Sequence, residues 1–232
     1  MDNIKKGNII SNIVTIIIII FVLVLCVQIL LAPFLGNPFN KVHYYFKAHA
    51  YVNSKYSFKV NVTGVKYDFK QSLYFVDAEV PCYDNVEFRI YVEKGRNGVK
   101  VTDNLFSMKW SKDVRDIVED IANEIFGEYV GSINTEIRSG FQDIFANSIK
   151  INDIPNYFDV IHEVGGDIYL VVRLNKRYTD SELNRAFSFY KDVEDLACPL
   201  SFHLYYNNTS FWVANVSRKT YGISDFLKFK QR

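Results

Sequence analysis

No charged residue occurs between Lys6 and Lys41, in a chain of 232 residues of which 23% are charged. So long a neutral stretch has no place on a wetted surface. An excess of basic residues is also missing. Beyond Gly36 the chain holds 25 basic and 25 acidic side chains. A neutral remainder without a basic run offers nothing to neutralise phosphates, which excludes nucleic acid as an expected partner. Cysteine is scarce: Cys26 lies inside the apolar stretch, leaving Cys82 and Cys198 beyond it. Two readings stay open for that pair, a disulfide and two free thiols.

The signatures of familiar chemistry are absent as well. His43, His49, His162 and His203 form no His-x-x-x-His pattern, and no Cys-x-x-Cys occurs, so no metal site is expected. No Gly-x-Ser-x-Gly elbow, phosphate-cradling glycine loop or His-Glu-x-x-His helix is found. Gly165-Gly166 lacks the following Lys and Ser or Thr that a phosphate loop needs. Neither Cys82 nor its potential partners His162 and His203 have protease-like flanks. We therefore expect no catalytic, cofactor-binding or metal-ligating residues, no cofactor, and no enzyme activity.

What is present begins with the apolar run Ile13–Leu35, interrupted by polar side chains only at Thr15 and Gln28. As a helix it rises about 34 Å, against a hydrocarbon core of roughly 30 Å. Five consecutive isoleucines, Ile16 to Ile20, leave that helix no polar face to turn toward water. A secretory signal is shorter and ends in small residues at its cut, whereas this run exits through Leu30-Leu31-Ala32-Pro33-Phe34. Leu25 before Cys26 also fails the small residue that a lipoprotein site requires. The expectation is a retained signal anchor in the lipid bilayer. Lys5 and Lys6 on one side face Lys41 and Lys47 on the other; a short basic tail favours a cytoplasmic N-terminus, with residues 37–232 outside.

After the anchor the hydrophobic period changes several times. Val42, Tyr45, Phe46, His49 and Val52 predict a helix over 40–55. Alternation then predicts strands at Phe58–Val62 and Val65–Phe69 with a bulge or bend at Gly64, followed by Leu73–Val80, Val86–Val92 and Val99–Thr102. Val114, Ile117, Val118, Ile121, Ile125 and Tyr129 form one helical stripe; Ile133, Ile137, Phe141, Ile144 and Phe145 form another, with Gly127 and Gly131 as breaks. Asp113, Asp116, Glu119 and Asp120 read as the solvated side of the first. Phe158, Val160 and Ile161 predict a strand that turns at Gly165-Gly166-Asp167 into Ile168–Leu174. Thr179 and Glu182 have capping-box spacing ahead of a helix bearing Leu183, Ala186, Phe187, Tyr190, Val193 and Ala197, closed by Pro199. Strands at Leu200–Tyr206 and Phe211–Val216 and a helix at Ile223–Phe229 complete the chain.

The expected fold is α+β: a transmembrane helix, then two small units each combining a helix with an antiparallel sheet. The divisions are a cytoplasmic tail at 1–12, the span at 13–35, an α+β unit at 40–105, a helical connector at 110–150 and a second α+β unit at 155–232.

Tyr51-Val52-Asn53-Ser54-Lys55-Tyr56, Val65-Lys66-Tyr67-Asp68-Phe69-Lys70 and Val86-Glu87-Phe88-Arg89-Ile90-Tyr91 together resemble the YfjL-like proteins of Gram-positive bacteria. That resemblance implies a membrane helix, an N-terminal unit of a helix on antiparallel strands, and a second unit after it. It carries over no catalytic residues. The expected role is an extracytoplasmic interaction module at the cell membrane, binding an envelope component or another membrane protein, with an envelope hydrolase built from dispersed residues as the alternative. Asn61, Asn208 and Asn215 have glycosylation-acceptor spacing, which bears only on a eukaryotic secretory setting.

Overall fold

A computed structural model describes residues 2–95, 98–138, 150–164, 167–196, 200–216 and 221–231. The fold is α+β, with a four-stranded and a five-stranded sheet. Residues cluster into two compact units. One comprises 1–52, 62–78 and 89–101; the other comprises 53–61, 79–88 and 102–232.

The first unit opens with α1 (Asp2–Leu35) and continues with α2 (Pro38–Lys55). From Ile13 to Leu35 every large apolar side chain assigned an exposure is at least partly open, and most are about half exposed. Among the described residues no single helix is long and apolar enough to cross a membrane. Ile13–Gln28 and Leu30–Lys55, bent by 43°, meet that requirement together.

Gly36 ends α1 with φ +76°, donating its N–H to Ala32 O at 2.8 Å. This left-handed position favours glycine. Space demands it too, since a Cβ here would lie 2.8 Å from the Tyr67 side chain and 2.9 Å from that of Tyr74. Tyr74 stacks near both Tyr44 and Tyr67, at 4.7 and 4.6 Å, and its hydroxyl accepts from Asn37 N at 2.6 Å. The α1–α2 corner is thereby held by aromatic packing.

Strands β1 (Asn61–Asp68), β2 (Leu73–Val80), β3 (Val86–Gly95) and β4 (Gly98–Asp103) lie side by side in chain order. In this unit Val76, Ala78, Ile90 and Val92 are buried, as are Tyr44, Ala48 and Val52 at four-residue spacing on α2. The two strands expected around Gly64 are one: β1 runs straight through that glycine, and residues 58–60 precede it. The apolar positions pass from even numbers (Phe58, Val60, Val62) to odd ones (Val65, Tyr67, Phe69) across Gly64, and β1 carries that change of phase without ending.

In the second unit, α3 (Leu105–Phe126) buries Leu105, Trp110, Val114, Val118, Ala122 and Phe126. It stops at Gly127, φ +60°. Then comes β5 (Val130–Arg138), where a second helical stripe was expected within the connector. Ile133 and Ile137 are four apart, which suits a helix, but Ile133, Thr135 and Ile137 also alternate with the exposed Asn134 and Glu136. Pairing with a neighbouring strand decides for the second pattern. Phe141, Ile144 and Phe145 lie outside the described residues.

Residues expected to form a strand before Gly165 are instead helical, as α4 (Tyr157–Val164). Asn156 starts it by accepting Phe158 N with its side-chain oxygen at 3.0 Å, and Tyr157 is fully buried. The expected turn at Gly165-Gly166 lies outside the described residues. The remaining elements are β6 (Asp167–Leu174), α5 (Leu183–Leu196), β7 (Leu200–Tyr206), β8 (Thr209–Val216), α6 (Ile223–Lys228) and β9 (Lys230–Gln231).

The sheet order is β5-β6-β7-β8-β9. It is not wholly antiparallel, because β6 and β7 run parallel, with α5 as their crossover. Leu170, Val172, Phe202, Leu204, Phe211 and Val213 bury one sheet face, joined by Phe189 and Tyr190 of α5 and Phe226 of α6. Phe211 and Phe226 stack at 4.8 Å, and Phe126 meets Phe189 at 5.3 Å. Each such buried side chain contributes roughly 1.5–3 kcal/mol of transfer free energy.

The capping box does not form. Thr179 Oγ1 pairs with Ser181 Oγ at 2.8 Å, and Glu182 turns to Lys176 Nζ at 2.8 Å. A 3-10 turn at Asp180–Glu182 intervenes before α5 begins. Ala197, Cys198 and Pro199 lie outside the described residues.

Candidate functional site

The concave feature that gathers convergent polar groups lies wholly within the second unit. Met108, Ser111, Lys112 and Arg115 follow one another at helical spacing and form its α3 wall. Ile133, Asn134 and Thr135 of β5 form a second side, and Asp84, Asn85, Val86 and Glu87 a third. The groove encloses about 390 Å³ and opens to solvent, within the size range of small-ligand and peptide sites.

Local sequence explains each wall. A 3-10 turn at Pro81–Tyr83 is followed by Asp84 and Asn85, both left-handed with φ of +53° and +55°. Asp and Asn tolerate that region better than other non-glycine residues. The double reversal places Asp84 on the rim and starts β3. On α3, Ser107 and Ser111 face the strand: Ser107 Oγ donates to Ile137 O at 3.0 Å, and Ile137 N donates to Ser111 Oγ at 3.1 Å. Thr135 Oγ1 donates to Ser111 O at 2.5 Å.

Charge in the groove is paired unevenly. Lys112 Nζ donates to Asp116 Oδ2 at 2.6 Å and to Asp84 Oδ2 at 3.4 Å. The Asp116 carboxylate raises the ammonium pKa above its usual value, against the opposing effect of desolvation. Among the described residues Arg115 makes a loose contact with Asp116, 3.8 Å, and its side chain is 45% exposed. Met108 is 39% exposed. The arrangement sets charged groups beside apolar surface on a hydrogen-bonded frame.

A separate buried polar cluster is architectural. Asp103 accepts Lys55 Nζ at 2.8 Å, Tyr56 Oη at 2.9 Å and Leu105 N at 3.0 Å, tying the end of α2 to the start of α3. At the carboxyl ends of β6 and β7, Glu182 Oε2, Tyr178 Oη and Tyr206 Oη are buried without a hydrogen-bond partner among the described residues. Burial is the main cause that pushes the Tyr178 and Tyr206 hydroxyls above the usual phenol range.

The residues singled out by sequence are scattered. His43 packs edge-on against Tyr44, and His49 lies against Tyr45. His203 stacks on Tyr205 at 4.1 Å and Trp212 at 6.0 Å; burial, then Arg173, lowers its pKa. The His162 side chain and Cys198 lie outside what is described. Cys26 and Cys82 are exposed free thiols. Asp113 pairs with Lys109 at 2.5 Å, while Glu119 and Asp120 are exposed. Asn61 bonds Glu79, and Asn208 clasps the backbone of Tyr178 at both N and O. Among the described residues no group of three or more His, Cys, Asp or Glu is placed to hold a metal ion.

Sequence reading missed the groove because its walls are remote in the chain. The signal that could have pointed to it was the Met108, Ser111, Lys112, Arg115 face of α3, which is neither apolar core nor purely acidic surface.

Fold and groove together define an α+β protein with a long apolar N-terminal helix and a polar-lined cleft in its second unit. Residues 11–104 match the family described as YfjL-like, N-terminal domain, and the likeness is confined to that part of the chain. No curated protein and no solved structure matches it. The matched stretch runs from within α1 to the residue before α3, so it contains Asp84–Glu87 of the groove but neither the α3 wall nor β5.

Proposed function

We propose that the chain is a membrane-anchored interaction module whose second unit binds a partner in this groove on the extracytoplasmic side. The anchor is Ile13–Leu35, with residues 1–12 in the cytoplasm. Support for it comes from the apolar side chains exposed all round that part of α1, which water disfavours and lipid accepts. Reporter fusions at Arg232 test the orientation: activity confined to a cytoplasmic reporter overturns it.

The observation that carries the binding role is the frame around the groove. Ser111, Thr135 and Ile137 are locked together by hydrogen bonds, while Arg115 and Met108 remain open to a ligand. Rigid walls with free recognition groups suit binding, since little side-chain order has to be created on association. Envelope hydrolysis is the competing reading, and turnover of an envelope polymer by the purified chain, abolished by groove substitutions, would replace ours.

The test is photocrosslinking in intact membranes from position 108, with position 119 on the exposed side of α3 as control. A discrete adduct from 108 that is absent from 119 supports the proposal. Identical adducts from both positions, or none from 108, overturn it.

A further inference from the structure

We infer that the groove takes an extended peptide segment, which adds as a further strand to the outer edge of β5. This rests on the binding role proposed above and specifies its mode. Because β5 is the terminal strand in the order β5-β6-β7-β8-β9, only one of its edges is occupied by β6. The direction of the other edge is fixed by Ile137, whose N–H goes to Ser111 Oγ and whose C=O receives Ser107 Oγ. In an antiparallel pair, alternate residues turn both backbone groups to the same side. Thr135 and Ile133, two and four positions earlier and in unbroken register with Leu170 and Val172 of β6, therefore aim their N–H and C=O groups outward as well.

The two ends of this edge are treated differently. At Ile137 the serines of α3 satisfy and cover it. Ile133 and Thr135 instead line the groove. Unpaired strand edges normally invite another strand unless they are covered, charged or bent. Among the described residues, cover from Ser107 and Ser111 is centred on Ile137 and the groove opens beside Ile133 and Thr135, an arrangement suited to peptide capture by strand addition. Main-chain hydrogen bonds to Ile133 and Thr135 supply register. Met108 and Ile133 offer apolar contact, and Arg115, with its loose 3.8 Å contact to Asp116, favours an acidic side chain on the incoming segment. The occupant is thus an extended acidic and apolar peptide of a partner protein.

The experiment uses the full chain in lipid nanodiscs, with synthetic peptides selected from a phage-displayed random dodecapeptide library as the probe. The peptides are expected to slow hydrogen exchange at the Ile133 and Thr135 amides. N-methylation of alternate peptide amides should weaken binding by about tenfold or more, the loss of one to two main-chain hydrogen bonds. Thr135→Pro, which removes an outward N–H at an edge position where proline is tolerated, should do the same. Glu119→Ala, on the exposed side of α3 and outside the groove, should leave affinity within about twofold. Should Thr135→Pro fail to fold, the N-methyl series on the unaltered chain decides alone.

If N-methylation has no effect while Arg115→Glu abolishes binding, strand addition is wrong but the groove remains a binding site. If Arg115→Glu has no effect or no peptide is selected, both readings fall. Protection of the Ile133 and Thr135 amides in concentrated protein without peptide makes a second copy of this chain the occupant and overturns the peptide assignment.

Discussion

The two sheets solve the same problem by different routes. In the first, β1 to β4 lie in chain order, so each strand finds its neighbour through a short connection. In the second, β6 reaches β7 only by crossing over through α5, and β5 arrives from the far side of residues 139–156. Short-range pairing is set by turn and alternation, whereas the parallel pair joins strands that only a crossover such as α5 can bring side by side. The difference teaches where each sheet is vulnerable: the first in its turns, the second in its crossover.

Breaking the crossover should have the largest effect. Ala186 is fully buried in the first half of α5, and Ala186→Pro removes a helix hydrogen bond and introduces a clash, costing about 3 kcal/mol or more. Hydrogen exchange should then accelerate across β6 and β7 while β1 and β2 keep their protection. Equal loss in both sheets would break the comparison.

A smaller effect is expected at Asp103. Asp103→Ala leaves the Tyr56 hydroxyl and the Lys55 ammonium without this acceptor and frees the first N–H of α3; with Lys55 20% exposed, the cost is about 2–3 kcal/mol. Urea unfolding measures it, and a double-mutant cycle with Tyr56→Phe should return a coupling of about 1 kcal/mol.

The smallest expected effect is a pH dependence confined to the second sheet. His203 has its pKa lowered in the folded state by burial and by Arg173, so below about pH 6.5 the unfolded chain binds the proton more readily. Its contribution is complete above that value and is lost as pH falls toward the depressed folded pKa. Comparing unfolding midpoints at neutral and mildly acidic pH, the unaltered chain should lose more stability on acidification than His203→Gln. Equal losses would remove His203 from the account.

The legibility of the chain follows the same division. Alternation in Val65–Asp68, Leu73–Val80 and Val86–Val92, and the helical stripe from Val114 to Ile125, were sufficient because local period and final burial agree. Ile133 and Ile137 satisfied two periods at once, and a strand partner 31 to 39 residues further on broke the tie. Tyr157 and Ile161 carried a helical spacing, and Asn156 a start signal, that the neighbouring Phe158 and Val160 masked. Thr179 and Glu182 had cap spacing, but Lys176 drew Glu182 away.

The sequence by itself determined the apolar helix, the α+β class and the YfjL-like resemblance of its N-terminal part, because each is written in side chains close together in the chain. Only the tertiary structure decided that β5 is a strand, that β6 and β7 run parallel, and that Arg115, Thr135 and Asp84 share one groove. The reason is physical: an unpaired edge and a cleft are properties of backbone groups left over after distant strands have paired, and no local pattern records which groups those are.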